Sequence, residues 1–245
     1  VVNIKCGNKV FRNIQAILFD KNGTLEDSET FLRSHAQRSA RIVDAQVPGI
    51  GESLLMSYGV NSEHLDPAGL MSVASRYDTE VATAAYIAET GKSWFESLQI
   101  ARKALDEAEN YLGETASPMF AGSWELLKSL SEIGLKLGIL SAAPSDEVEN
   151  FVKVHQLGSY LELEMGVDGQ IGKPNPKFFL QACERLGVEA SVTLMVGDSV
   201  GDMIMGKNAG AAGCIGISWV GKFENVRGAD VFIKRLDEIE LVSSQ

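Results

Sequence analysis

The sequence predicts an α/β fold, a Rossmann-like parallel sheet core interrupted by a helical insertion, and three observations carry that reading. Short apolar runs alternate with helical patterns after Gly122. One further apolar run, residues 14–19, stands well before them and ends in a polar, glycine-containing loop. Between Phe31 and Met119 strand patterns are scarce and helical spacing prevails. With 245 residues and 45% hydrophobic side chains, the chain is long enough to bury a sizeable core, and disorder throughout is excluded.

Each element follows from its own pattern. Residues 1–11 hold short apolar pieces around Gly7 and Asn8, which tolerate left-handed backbone angles, and predict a small hairpin. The run Ile14-Gln-Ala-Ile-Leu-Phe19 reads as a buried parallel strand, because Asp20-Lys-Asn-Gly-Thr24 follows it at once. Segments 31–46, 68–89 and 94–112 carry Leu, Ala, Ile and Met three and four apart and predict helices. Pro48-Gly49, Asn61-Ser62 and Thr90-Gly91 punctuate them, and Pro118 marks the return.

From there helices are expected near 124–133, 146–155, 176–186 and 200–209. Strands are expected at 135–140, 192–196, 214–217 and 231–233, with a closing helix near 236–241. Since one strand precedes the insertion and the others follow it, the core is expected to be discontinuous: residues 1–25 and 119–245, with the helical block at 26–118.

Charge narrows the partners. Twenty-two Lys/Arg against 33 Asp/Glu give a net charge of -11, and the insertion alone holds 7 basic and 15 acidic residues. No broad positive surface for tracking a nucleic-acid backbone is expected, so nucleic acid is excluded as a partner. No run approaches 18 consecutive apolar residues, so a membrane partner is not expected either. The opening also lacks the basic-then-apolar pattern of a secretion signal. Cys6, Cys183 and Cys214 form no CxxC pair, and their odd number fits a reducing setting; a cytoplasmic location is expected.

Four polar segments adjoin core elements that could bring them to one sheet edge: Asp20 to Thr24, Ser141-Ala142-Ala-Pro144, Gly172-Lys173-Pro-Asn-Pro176 and Gly197-Asp198-Ser199-Val-Gly-Asp202. The carboxyl edge is where open α/β sheets place their chemistry. Taken singly, an Asp after a strand is often a turn former or helix cap, and Lys173 between Gly and Pro could be a solvated turn residue. Taken together they suit phosphoryl transfer to a carboxylate. Asp20 and Asp198 could hold a hard cation such as Mg2+, Lys173 would add fixed positive charge, and Gly23, Thr24 and the Ser141 hydroxyl could bring donors to phosphoryl oxygens.

These four ordered segments resemble the signatures of the haloacid dehalogenase-like superfamily, with a nearer likeness to its phosphoglycolate-phosphatase-like branch. The resemblance covers nearly the whole chain and makes the insertion similar to a mobile helical cap. It implies that Asp20 attacks phosphorus to form an aspartyl-phosphate. It also implies that Asp20, the main-chain carbonyl of Asn22 and Asp198 bind Mg2+, and that Ser141, Ala142 and Lys173 hold the phosphate. Ser199 and Asp202 would support the site, and the cap would close over the leaving group. The implied substrate is a small phosphorylated metabolite, phosphoglycolate or a related ester.

One departure stands out. Phosphatases of this superfamily usually carry Asp two residues after the nucleophile, as the acid for the leaving alcohol and the base for water; here that residue is Asn22, whose amide cannot exchange a proton near neutral pH. The residue, natural or introduced, is expected to slow or stall turnover. A 2-haloacid dehalogenase or another phosphoryl-transfer enzyme, and a non-catalytic phosphoacceptor or phosphate-binding protein, are the alternatives.

If the insertion selects substrate, its recognition groups must be local, given its acidity. His35, Arg38 and Arg41, three residues apart on one expected helix, together with Arg76 and Lys92, are the candidates, with solvation of the surface or pairing with acids as the plainer reading. The three histidines show no zinc-ligand spacing, Trp94, Trp124 and Trp219 read as packing groups, and no nucleotide-binding glycine motif occurs.

Overall fold

The computed structural model describes residues 2–61, 64–113 and 117–242; Val1 and Ser62, which enter the expected hairpin and loop above, lie outside the described residues. The chain divides into two compact units, Val1–Asp27 with Pro118–Gln245, and Ser28–Ser117. The dividing points fall one or two residues inside the expected 26–118, and main-chain pairing is the reason. Asp27 N donates to Pro118 O (2.8 Å) and Phe120 N to Leu25 O (2.9 Å), so both linkers belong to the larger unit.

The larger unit opens with β1 (Val2–Cys6) and β2 (Lys9–Ile14), the expected hairpin, followed by β3 (Ala16–Phe19). In the smaller unit come α1 (Glu29–Gln46), α2 (Gly51–Tyr58), the short strands β4 (Val60–Asn61) and β5 (His64–Leu65), α3 (Leu70–Val73), α4 (Arg76–Glu89) and α5 (Trp94–Leu112). The helix expected over 68–89 is broken. Ser75 has extended backbone and accepts from Asp78 N while the Asp78 carboxylate accepts from Ser75 N, a reciprocal cap that starts α4 afresh. Helix α2 escaped the sequence reading because its eight residues offer little periodicity. Alanines from α1, α4 and α5 (Ala36, Ala40, Ala84, Ala101, Ala104) let these helices approach closely around Leu54, Tyr58, Ile87 and Leu105. The Tyr58 hydroxyl is satisfied by Thr83 Oγ1 at 2.8 Å.

The chain returns as α6 (Ser123–Glu132), β6 (Lys136–Leu140), α7 (Ser145–Val154), β7 (Leu163–Met165), α8 (Pro176–Leu186), β8 (Thr193–Gly197), α9 (Val200–Ala209), β9 (Gly213–Ile217) and β10 (Val231–Ile233). Pro176 at the first helical position and Asn175 accepting from Lys177 N (3.0 Å) start α8, and Gly187 in the left-handed region ends it. The expected closing helix over 236–241 is instead a 3-10 turn (Leu236–Glu238) followed by β11 (Ile239–Val242). Antiparallel pairing with β1 claims those residues, from Cys6 opposite Ile239 to Asn3 opposite Val242.

Six strands form one parallel sheet in the order β10-β9-β8-β3-β6-β7. Alternation along β3 sends Ile17 and Phe19 to one face and Ala16 and Leu18 to the other. The first face is covered by α6, α7 and the small sheet of β11, β1 and β2, the second by α8 and α9. Burial on both faces explains why these strands are continuously apolar. After β3 the chain builds outward through β6 and β7, then crosses back to β8 on the opposite side of β3. The strand order therefore reverses at β3, and the crevice beyond its carboxyl end is where such sheets bind ligands.

Candidate active site

The fold explains why four distant segments meet. Asp20 follows β3, Ser141 follows β6, Asp198 follows β8, and Lys173 lies in the loop between β7 and α8. Asp20 N is fixed by Val196 O at 2.9 Å, which ties the start of its loop to β8. One carboxylate oxygen from each of Asp20, Asp198 and Asp202 lies within 4.8 Å of one from each of the others. Lys173 Nζ contacts Asp20 Oδ1 and Asp202 Oδ1, the latter at 2.7 Å, and all three side chains are nearly or wholly buried around that contact.

The electrostatics follow from the crowding. Burial opposes the charge on Lys173, yet Asp20 and Asp202 hold its pKa above the ordinary lysine value, so it stays a cation. Burial raises the Asp20 pKa, Lys173 works against that, and the neighbouring Asp202 charge adds to it. Asp198 is pushed well above the ordinary carboxylate range by burial and by the charges of Asp20 and Asp202. Three carboxyl groups crowd hard oxygen donors beside one ammonium, and that donor set fits a divalent cation such as Mg2+.

Asp202 has other work. Its Oδ2 accepts from Ser199 N (3.1 Å) and Ser199 Oγ (2.6 Å), while Ser199 Oγ accepts from Asp202 N (3.2 Å). This reciprocal cap starts α9 and leaves Oδ1 in contact with Lys173. Asp20 and Asp198 could hold a cation. No backbone amide among the described residues takes the Asn22 carbonyl, and Asn22 Oδ1 is buried without a partner.

The loop that carries Asp20 is wound on itself. Lys21 O accepts from Leu25 N and Glu26 N, both at 2.9 Å, and more weakly from Thr24 N at 3.3 Å, and Gly23 N donates to Glu26 O at 2.9 Å. The Gly23 and Thr24 main-chain donors are therefore engaged within the loop, whereas Thr24 Oγ1 is buried without a partner. The buried Ser141 Oγ accepts from Ala143 N (3.1 Å), which leaves its own proton to donate, and the Ala142 N–H has no acceptor among the described residues.

Two supports escaped the sequence reading. Lys21 and Glu26 form an ion pair at 2.6 Å with both side chains almost completely buried, and the Lys21 ammonium lies 5.6 Å from the Phe151 ring centroid. Trp219, expected only to pack, donates from Nε1 to Gly23 O at 3.2 Å. A charged pair five residues apart beside a candidate nucleophile was visible as a signal; the Trp219 contact, across 196 residues, was not.

Within the smaller unit the five candidate recognition groups do not form one cluster. His35 is buried, and its Nε2–H donates to Leu105 O at 3.0 Å; burial lowers its pKa and keeps it neutral. Arg38 stacks its guanidinium 3.0 Å from the Tyr111 ring centroid, and Arg41 is exposed. The expected shared face fails because each three-residue step falls about 60° short of a full helical turn. Arg76 is divided among Glu80 (3.2 Å), Glu109 (2.8 Å) and Asp106, and Lys92 pairs with Glu96 at 2.6 Å, the plainer reading in both cases.

A family model for haloacid dehalogenase-like hydrolases matches residues 14–210. The chain belongs to the haloacid dehalogenase-like hydrolase family. That span runs from the end of β2 through α9 and takes in all four polar segments. A phosphoglycolate phosphatase of Vibrio vulnificus is 28% identical, with 82% of each chain covered. A Clostridium perfringens protein with the provisional name pyrophosphatase PpaX is 30% identical over 82% of this chain and 83% of its own. Among solved structures, a 2-haloacid dehalogenase from Pseudomonas syringae superposes with a TM-score of 0.60 at 22% identity, covering 92% and 96% of the two chains. Such a likeness concerns the fold, which family members of different chemistry share. Cys6, Cys183 and Cys214 are free, buried thiols, and no helix among the described residues is long and apolar enough to cross a membrane.

Proposed function

We propose that this hydrolase is a phosphatase for small phosphate monoesters and works through an aspartyl-phosphate on Asp20. The observation that carries the reading is the Asp20-Lys173-Asp202 arrangement beside Asp198 at the carboxyl end of the central strand. An Asp20 oxygen forms a bond to phosphorus as the ester P–O bond breaks, and the leaving oxygen departs with the electron pair and takes its proton from solvent water. Water then attacks the acyl-phosphate, returning Asp20 and releasing inorganic phosphate. Lys173 restrains the attacking carboxylate and offers its charge to the transferred group, with Ser141 Oγ and Ala142 N as donors to its oxygens.

Asp20, Asp198 and the carbonyl of Asn22 would hold Mg2+. When bound, the cation neutralises the charge of the phosphoryl oxygens. The named activities of the relatives put phosphoglycolate first in a substrate panel and inorganic pyrophosphate second.

Asn22 sets the pace in this reading. It can donate a hydrogen bond to the leaving oxygen but no proton, and general acid-base help of this kind contributes about 100- to 10,000-fold. With Mg2+ present, Asn22→Asp is expected to raise phosphate-ester turnover within that range, and Asp20→Asn to abolish it. No gain in the first variant would overturn the attenuating role of Asn22. Turnover retained in the second would overturn the covalent route.

A further inference from the structure

The Gly23 peptide is held on three sides, and only one of the holds is local in sequence. Its N–H goes to Glu26 O, three residues on, and its α-carbon lies against Asp198, where an added Cβ would meet Oδ2. Its carbonyl takes the indole N–H of Trp219, two residues beyond the end of β9. Trp219 itself sits on a fixed turn: Ser218 N donates to Ile233 O and Gly221 N to Ser218 O, both at 3.0 Å. Its ring stacks on Phe120 with centroids 4.2 Å apart and planes 13° from parallel. Phe120 lies in the return linker and is pinned there by its N–H to Leu25 O, which also accepts from Ser123 Oγ at 3.2 Å.

We propose that Trp219 is a positioning residue. Its N–H sets the orientation of the Gly23 peptide, and so the clearance between the nucleophile loop and Asp198, while its stack on Phe120 ties that setting to the return linker. The inference rests on the reading of residues 20–24 as the reacting loop. A merely packed indole would need neither the hydrogen bond nor the parallel stack. Two substitutions separate the two contacts: Trp219→Phe keeps a ring for Phe120 and removes the donor, and Phe120→Leu keeps the donor and removes the stacking partner.

Hydrogen exchange on the metal-free protein tests the geometry without turnover. Loss of one net hydrogen bond predicts about fivefold faster exchange in Trp219→Phe for amides of residues 20–26, with β8 amides unchanged as the internal reference. Calorimetric titration with Mg2+ alone is expected to show binding weakened by about the same factor. Hydrolysis of p-nitrophenyl phosphate should show a lower kcat at unchanged KM. Unchanged exchange and Mg2+ affinity, or faster exchange throughout the larger unit, would overturn the positioning role. Phe120→Leu should accelerate exchange in residues 20–26 as well as 118–122; acceleration confined to 118–122 would overturn the coupling to the linker. Asp20→Asn keeps the two readings apart, because turnover surviving in that variant sinks the phosphatase proposal while leaving the exchange result to judge Trp219.

Discussion

Gly23 and Asp198 compete for one volume: a Cβ built on Gly23 would lie 2.1 Å from Asp198 Oδ2. Gly23 also has φ of +75°, a left-handed conformation that side chains resist. Gly23→Ala is expected to move the loop that carries Asp20, or Asp198, and to lower kcat/KM on the order of 100-fold, as misplacement of reacting groups by about 1 Å does. Mg2+ affinity should fall with it while the far-ultraviolet circular dichroism stays that of the parent. Unchanged Mg2+ binding and turnover would show that the close approach is not needed.

The Lys21–Glu26 pair makes a stability prediction with a clear asymmetry. Breaking a buried pair on one side strands a charge, so Lys21→Met is expected to lose about 3–5 kcal/mol. The double variant Lys21→Met, Glu26→Gln should recover a large part of that loss. Urea unfolding monitored by circular dichroism measures all three, and a double variant no better than the single one would contradict the pairing.

Metal addition should depend on pH in a definite direction. Asp20 and Asp198 have raised pKa values in the metal-free fold, so the folded protein binds protons there more readily than the unfolded chain. These groups favour the fold at acid pH, and that contribution is lost as pH rises through their folded values. Mg2+ would replace those protons. Its stabilising shift in Tm is expected to be larger at mildly alkaline than at mildly acidic pH, and to shrink in Asp198→Asn. A shift equal at both pH values would sink this account.

His35 predicts the opposite slope for the smaller unit. Its folded pKa is lowered by burial, so protonation favours the unfolded chain: its contribution is complete above about pH 6.5 and declines as pH falls below that value. His35→Leu should flatten this part of the Tm-against-pH curve, at the cost of the bond to Leu105 O. An unchanged curve would assign the acid sensitivity elsewhere.

Local patterns carried much of the architecture. Apolar runs ending in polar loops located β3 and β8, and Pro176 with Gly187 bounded α8 because those residues act on their own backbone. Elements whose identity depends on a distant partner were not legible. β7 is three residues long and is a strand because β6 lies beside it, and residues 239–242 are a strand because β1 pairs with them.

The site divides in the same way. The sequence by itself determined which groups are present: Asp20, Ser141, Lys173 and Asp198 in polar loops next to core elements, with Asn22 where an acid was expected. Only the tertiary structure decided how they are arranged. The return of the chain from β7 across to β8 places Asp198 and Lys173 beside Asp20, Asp202 turns out to cap α9 and hold the lysine, and Trp219 reaches Gly23. Hydrogen bonds and buried charges act over about 3 Å, a distance that spacing along the chain does not encode until the sheet closes it.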